Sequence, residues 1–118
     1  MDARIADTIT KIIEELGTLR RKIEKLGEEK ARTESEYDKQ IALAMVKLEA
    51  GKPVFLDDVA ITSTTATNLD KKAKAVCSEF RYKMLLAESK YKGCLTNIEC
   101  LKSQLNAYQS LYRGQLEL

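Results

Sequence analysis

The sequence predicts an all-α protein: a long antiparallel two-helix hairpin of coiled-coil type, pairing with a second copy into a dimeric four-helix bundle. Three observations carry this expectation. Apolar residues recur in both halves of the chain at alternating steps of four and three, the spacing that keeps one helix seam against a neighbour. One proline and five glycines in 118 residues leave few places to stop a helix. The segment Ala50-Gly51-Lys52-Pro53 combines both breakers near the middle of the chain. The expected organisation is a single domain, 1–118, with a helix over 3–49, a loop over 50–68 and a helix over 69–113.

The first helix runs from Ala3 to Glu49, with Asp2 as its expected N-cap. Its seam is Ile5, Ile9, Ile12, Leu16, Leu19, Ile23 and Leu26, an unbroken heptad stripe. The next seam positions are polar, Lys30 and Thr33. Tyr37 restores the stripe, and Ile41, Met45 and Leu48 continue it with a stutter. The other faces from Arg20 to Lys39 are densely charged with both signs, the mark of a solvated helix. Glu28 and Arg32 stand four apart in the favourable order.

From Pro53 to Asn68 the chain changes character. Val54, Phe55, Leu56 and Ile61 are expected to fold back and cap the helix ends, Asp57 to Ala60 to form a helical turn, and Thr62 to Thr67 to be irregular. Asn68 or Asp70 then caps the second helix. Its stripe is Leu69, Ala73, Val76, Phe80, Met84, Ala87, Tyr91, Cys94, Ile98, Leu101, Leu105, Tyr108 and Tyr112, with a stutter at Phe80 to Met84. Each helix would reach roughly 70 Å at about 1.5 Å per residue.

Doubling back midway brings together residues whose numbers sum to about 118. Leu16 then faces Lys102, and Gly27 faces Tyr91 and Gly93. Lys30 comes level with Glu88 and forms the expected register-setting pair. The apolar surface is wider than one neighbour covers, because Ile13, Leu43, Leu85, Leu86, Leu95, Leu111 and Leu116 lie off the seams. The stretch from Gly93 to Tyr112 carries only Glu99 and Lys102 as charges. The expected self-association interface is Leu95, Ile98, Leu101, Leu105, Tyr108 and Leu111. The rival arrangement is a monomer whose loop covers this face.

The chemistry of the chain points away from catalysis. It has no histidine, which removes most general-base and metal-ligand schemes, and it has no glycine-rich phosphate loop. No catalytic residue, metal site or cofactor is therefore expected. Asp57-Asp58 reads as loop carboxylates ahead of a divalent-metal site. The three cysteines, Cys77, Cys94 and Cys100, read as buried, reduced thiols on one helix in a reducing compartment. Twenty basic against 18 acidic residues give a net charge of +2, with no general pull toward a phosphate backbone. One local exception is Lys71, Lys72 and Lys74, with Arg81 nearby. Lysines at a helix start oppose the macrodipole, so nucleic-acid contact is weighed there against a solvated surface. The amino-terminal residues lack a signal-peptide core, and the longest apolar run, Ile41 to Val46, is too short for a membrane span. No membrane partner is expected, and the expected location is the cytoplasm of a bacterial host.

Four segments resemble a group of small helical proteins from tailed bacteriophages and prophages of Gram-positive bacteria, encoded among early replication and recombination genes. They are Glu36-Tyr37-Asp38-Lys39, Gly51-x-Pro53-Val54-x-Leu56, Ala87-Glu88-x-x-Tyr91-Lys92 and Leu101-Lys102-x-x-Leu105. The resemblance covers about Glu36 to Arg113, with a threonine-rich insertion around Thr62 to Thr67. These are helix and cap patterns, and the group has no assigned catalytic residues. The resemblance implies genomic company. On that basis the chain is expected to be a non-enzymatic phage accessory protein. It would bind itself and a phage or host protein and support phage DNA replication or recombination. The alternative is an inhibitor of a host protein such as an antiviral defence nuclease, and a scaffolding role comes third.

Overall fold

The computed structural model describes residues 3–62 and 66–117. In chain order the elements are α1 (Ala3–Glu49), β1 (Val54–Leu56), β2 (Val59–Ile61), α2 (Ala66–Val76) and α3 (Ser78–Glu117). The protein is thus all-α apart from one small hairpin. Asp2, the expected cap of α1, and Ser63, Thr64 and Thr65 of the threonine-rich segment lie outside the described residues.

The end of α1 follows from Gly51. Its φ of 72° is left-handed, a conformation glycine adopts without steric cost. The Lys52 amide then donates to the Lys47 carbonyl at 2.8 Å and the Gly51 amide to the Leu48 carbonyl at 3.1 Å. This nested pair of bonds is a Schellman cap, and Pro53 bars any continuation.

The segment after the cap departs from expectation. Asp57 to Ala60 does not form a helical turn. Instead β1 and β2 pair antiparallel, with Val54 opposite Ile61, Phe55 opposite Ala60 and Leu56 opposite Val59. The connection is only Asp57-Asp58, and both residues have positive φ, 45° and 66°. Two left-handed residues make the turn whose twist matches paired strands, and aspartate tolerates that region better than most side chains. Glycine tolerates it better still. Asp58→Gly is expected to stabilise the protein by about 0.5–1 kcal/mol, read as a higher urea midpoint.

The second helical stretch is also corrected. It begins at Ala66, so Asn68 and Asp70 are interior residues and not caps. It is interrupted at Cys77, about one turn before the Phe80–Met84 stutter, where the apolar stripe changes phase. The interruption is slight. The Cys77 amide still donates to Ala73 (3.1 Å), and the Arg81 amide to Cys77 (3.0 Å).

By internal contacts the chain divides into two units, residues 1–28 with 89–118 and residues 29–88. In the first unit Ile12, Leu16, Cys94 and Ile98 form a buried cluster. Leu19, Ile23, Leu26, Leu101, Leu105 and Tyr108 pack on it, and Ile5 and Ile9 are half-buried. The two helix segments are antiparallel. The Cys94 thiol donates to the Leu19 carbonyl at 3.7 Å, while a Cβ on Gly27 would meet the Tyr91 ring at 3.5 Å. Rising along α1 therefore means descending along α3. Gly27 and Tyr91 meet in the expected register, and the Leu19–Cys94 pair falls five short of it, since its numbers sum to 113. Leu16 accordingly clusters with Cys94 and Ile98.

In the second unit Ala44, Leu48, Val54, Ala73 and Cys77 form the buried cluster, with Tyr37, Ile41, Met45, Ile61, Leu69, Val76 and Phe80 packed against it. The cluster ties α1, the hairpin and α2 together. At the polar seam position Lys30 is half-buried, and its ammonium lies 2.8 Å from the Glu34 carboxylate one turn along the same helix. Arg32 reaches Glu29 at 3.2 Å and not Glu28.

Candidate partner-contact surface

Val54 and Ile61 point into the core of the second unit, so their strand neighbours point out. Phe55, opposite Ala60 on the outer face, is 62% exposed, and Val59, on the inner face beside the turn, is 63% exposed. Of the four residues expected to cap the helices, Val54 and Ile61 pack inward, Leu56 is half-buried, and Phe55 is presented to solvent. A two-residue turn leaves the hairpin no slack to turn this ring inward without also flipping Val54 out.

Phe55 edges a groove of about 220 Å³. Gln40, Leu43, Ala44 and Lys47 of α1 form one wall, Pro53, Val54 and Phe55 the floor and rim, and Val76, Cys77 and Phe80 the other wall. Leu43 and Val46 of α1 are exposed as well. The groove is smaller than the roughly 300–1,000 Å³ of small-molecule sites. It has room for about one apolar side chain. Lys47 lines it, and the Lys83 ammonium sits 5.9 Å from the centre of the Phe80 ring, within cation–π range. Its surroundings are therefore apolar with a cationic border. Burial pushes the Cys77 thiol above its ordinary pKa, so this wall offers a neutral thiol and not a nucleophilic thiolate.

A second groove, of about 480 Å³, runs along the first unit between Leu19, Lys22 and Leu26 of α1 and Lys90, Gly93, Cys94 and Asn97 of α3. Its floor is the seam itself, and the Cys94 thiol there is already bonded to the Leu19 carbonyl.

The structure redistributes the residues singled out from sequence. Of the expected self-association interface, Ile98 is buried within its own chain, and Leu101, Leu105 and Tyr108 pack on the same cluster. Only Leu95 and Leu111 of that set face outward, 40% and 57% exposed. The four inward residues lie on the seam stripe, with Leu101, Leu105 and Tyr108 half-buried. Cys77 and Cys94 are buried as expected, whereas Cys100 is exposed. Among the described residues no group of histidine, cysteine, aspartate or glutamate side chains is arranged to hold a metal ion. Asp57 and Asp58 serve the hairpin turn.

The lysine cluster loses the argument that singled it out. With α2 starting at Ala66, Lys71 is already beyond the first turn, where the macrodipole has faded. Lys74 closes the helix and lies 3.0 Å from Asp70. Lys71, Lys74 and Arg81, at steps of three and seven, share one side, while Lys72 falls on the other flank and is half-buried. The four cations do not form one patch. No helix among the described residues is long and apolar enough to cross a membrane.

Sequence reasoning missed Phe55 as a surface residue. The signal was two apolar triplets separated by exactly two aspartates, the spacing of a tight hairpin. No family model matches the chain, no curated protein matches it, and no solved structure matches it.

Proposed function

We propose that this chain is a non-enzymatic accessory protein of a tailed phage, which acts by gripping another protein in support of phage DNA replication or recombination. The observation that carries the contact reading is Phe55, a large aromatic ring held out by a tight hairpin beside an apolar groove. Aromatic side chains dominate protein-contact energetics, and exposing one costs a soluble protein unless something covers it. A chain without histidine adds little means for acid–base chemistry. The phage setting and the DNA-metabolism role rest on the resemblance of the helix and cap segments.

The test is an affinity pull-down from host lysate, infected and uninfected, with and without nuclease. The reading expects one phage or host replication or recombination protein to be captured in stoichiometric amount and to resist nuclease treatment. Phe55→Asp is expected to weaken that capture at least tenfold without loss of helix content by circular dichroism. Capture of a host defence nuclease would reassign the role to inhibition. Capture that vanishes with nuclease, or is indifferent to Phe55→Asp, would defeat the contact reading.

A further inference from the structure

The groove of the first unit has an apolar floor and cationic banks. Leu19 and Leu26, both half-buried, and the buried Cys94 form the floor. Lys22 of α1 stands on one bank and Lys90 of α3 on the other. No carboxylate lies one turn from either lysine on its own helix. The neighbours of Lys22 are Thr18, Leu19, Lys25 and Leu26, and those of Lys90 are Leu86, Ala87, Gly93 and Cys94. Lys30, Arg32 and Lys74, by contrast, each pair with a carboxylate three or four residues away. The same bias extends around the groove. Residues 19–26 and 90–97 lie at one level, as the Leu19–Cys94 and Gly27–Tyr91 contacts show. They hold Arg20, Arg21, Lys22, Lys25, Lys90 and Lys92 against the single carboxylate of Glu24. Six cations against one anion leave a local excess of five, in a chain whose whole net charge is +2. Glu24 and Glu88, each two residues from one of the groove lysines, do not face them.

The shape of the groove narrows what that charge attracts. Its volume is about 480 Å³, room for more than one apolar side chain. From Leu19 to Leu26 it runs for seven residues, about 10 Å at about 1.5 Å per residue, the length of two helical turns. Gly93 is exposed on the α3 bank, and a Cβ there would meet nothing within 4 Å, so the bank is low at that point. A helix laid along such a groove offers apolar residues at i, i+3 or i+4, and i+7 over two turns. Carboxylates on its two flanks then reach Lys22 on one side and Lys90 on the other. Nucleic acid fits less well. Among the described residues no aromatic ring lines the groove to stack a base, and a phosphate backbone would leave the leucine floor uncovered.

We propose that the groove between Leu19–Leu26 of α1 and Lys90–Asn97 of α3 docks an acidic amphipathic helix of a partner protein. Apolar side chains of that helix sit over Gly93 and Cys94, and its carboxylates meet Lys22 and Lys90. The inference deepens the reading of the chain as a contact protein and rests on it, and it assigns a surface separate from the Phe55 groove. Each exposed ion pair contributes little by itself. The collective field of the excess cations selects the sign of the partner and speeds its approach, while the apolar floor holds it.

Fluorescence anisotropy of labelled peptides with the full chain tests this. The probe is a peptide of roughly 20 residues, long enough to hold a helix. Leucines recur in it at alternating steps of three and four, glutamates flank them, and alanines fill the rest. Its counterpart carries lysines in place of the glutamates. The glutamate peptide is expected to bind at least tenfold more tightly than the lysine peptide. Lys22→Glu combined with Lys90→Glu is expected to abolish that preference. Gly93→Gln, which projects a side chain into the groove from an open position, is expected to weaken the glutamate peptide at least tenfold with helix content unchanged. Lys71→Glu, in the other unit, should leave it bound. No binding of the glutamate peptide, equal binding of the two peptides, or binding that survives both groove variants overturns the proposal. A short DNA duplex that binds more tightly than the glutamate peptide overturns it in favour of a nucleic-acid surface. Phe55→Asp should leave the peptide bound, so loss of partner capture and loss of peptide docking are separate outcomes.

Discussion

Ala73→Asp is expected to unfold the second unit at neutral pH. Among the described residues Ala73 is the one with 0% exposure, in a buried cluster with Ala44 and Leu48 of α1, Val54 of β1 and Cys77. A carboxylate there would be buried with no cation in the cluster. Leaving a charge uncompensated inside a fold costs about 3–5 kcal/mol, against a typical total stability of about 5–15 kcal/mol. The sign of the pH dependence is fixed by the same burial. The enclosure favours the neutral acid and raises the folded-state pKa above the ordinary value of about 3.9. The deficit is therefore small below about pH 4 and grows as pH rises through that range. Urea midpoints taken from pH 3 to pH 7 should show the variant falling steadily behind the native chain. Ala73→Ser, which adds a hydroxyl and no charge, should lose far less and show no such slope. Equal midpoints for Ala73→Asp and the native chain at pH 7 would mean that Ala73 is not enclosed.

The long helices were legible because their signal is repeated many times. Each step of three or four from Ile5 to Leu26 adds to the same phase, and the buried residues of α1 and α3 are seam residues read from the sequence, except Ala44, which lies beside Met45 where the stripe stutters. Gly51 followed by Pro53 was equally plain, since a left-handed cap needs glycine and proline cannot extend the helix. The hairpin escaped because three residues per strand are too few to separate a period of two from a helical turn. Only the spacing of Asp57-Asp58 between Val54–Leu56 and Val59–Ile61 distinguishes them. The start of α2 escaped because nothing in Ala66-Thr67-Asn68 marks a boundary as firmly as a capping aspartate inside the helix falsely does. Of the expected self-association residues Ile98 is buried in the seam of its own chain, and Leu101, Leu105 and Tyr108 are half-buried beside it.

Leu16→Ala is the matching expectation for the first unit. Leu16 is 5% exposed in a cluster of only four buried residues, so the methyl groups it loses are a large share of that core. Leucine-to-alanine changes in cores cost about 2–5 kcal/mol, and the cost is lower where neighbours relax into the space. Two features favour relaxation here. No side chain of the cluster is fully enclosed, and Leu19 and Ile23 on the same helix are only half-buried and can shift. The expected loss is therefore in the lower part of that range, about 2–3 kcal/mol. Leu43→Ala, at an exposed position, should stay within about 0.5 kcal/mol of the native chain. Amide hydrogen exchange adds the resolution that a single urea curve lacks. Leu16→Ala is expected to strip protection first from the amides of Ile12, Cys94 and Ile98, with those of Ala44, Leu48 and Val54 lasting longer, because the two clusters share no buried residue. Simultaneous loss at both sets would mean that the chain opens as one cooperative body, and the division at Glu28 and Ser89 would then carry no energetic weight.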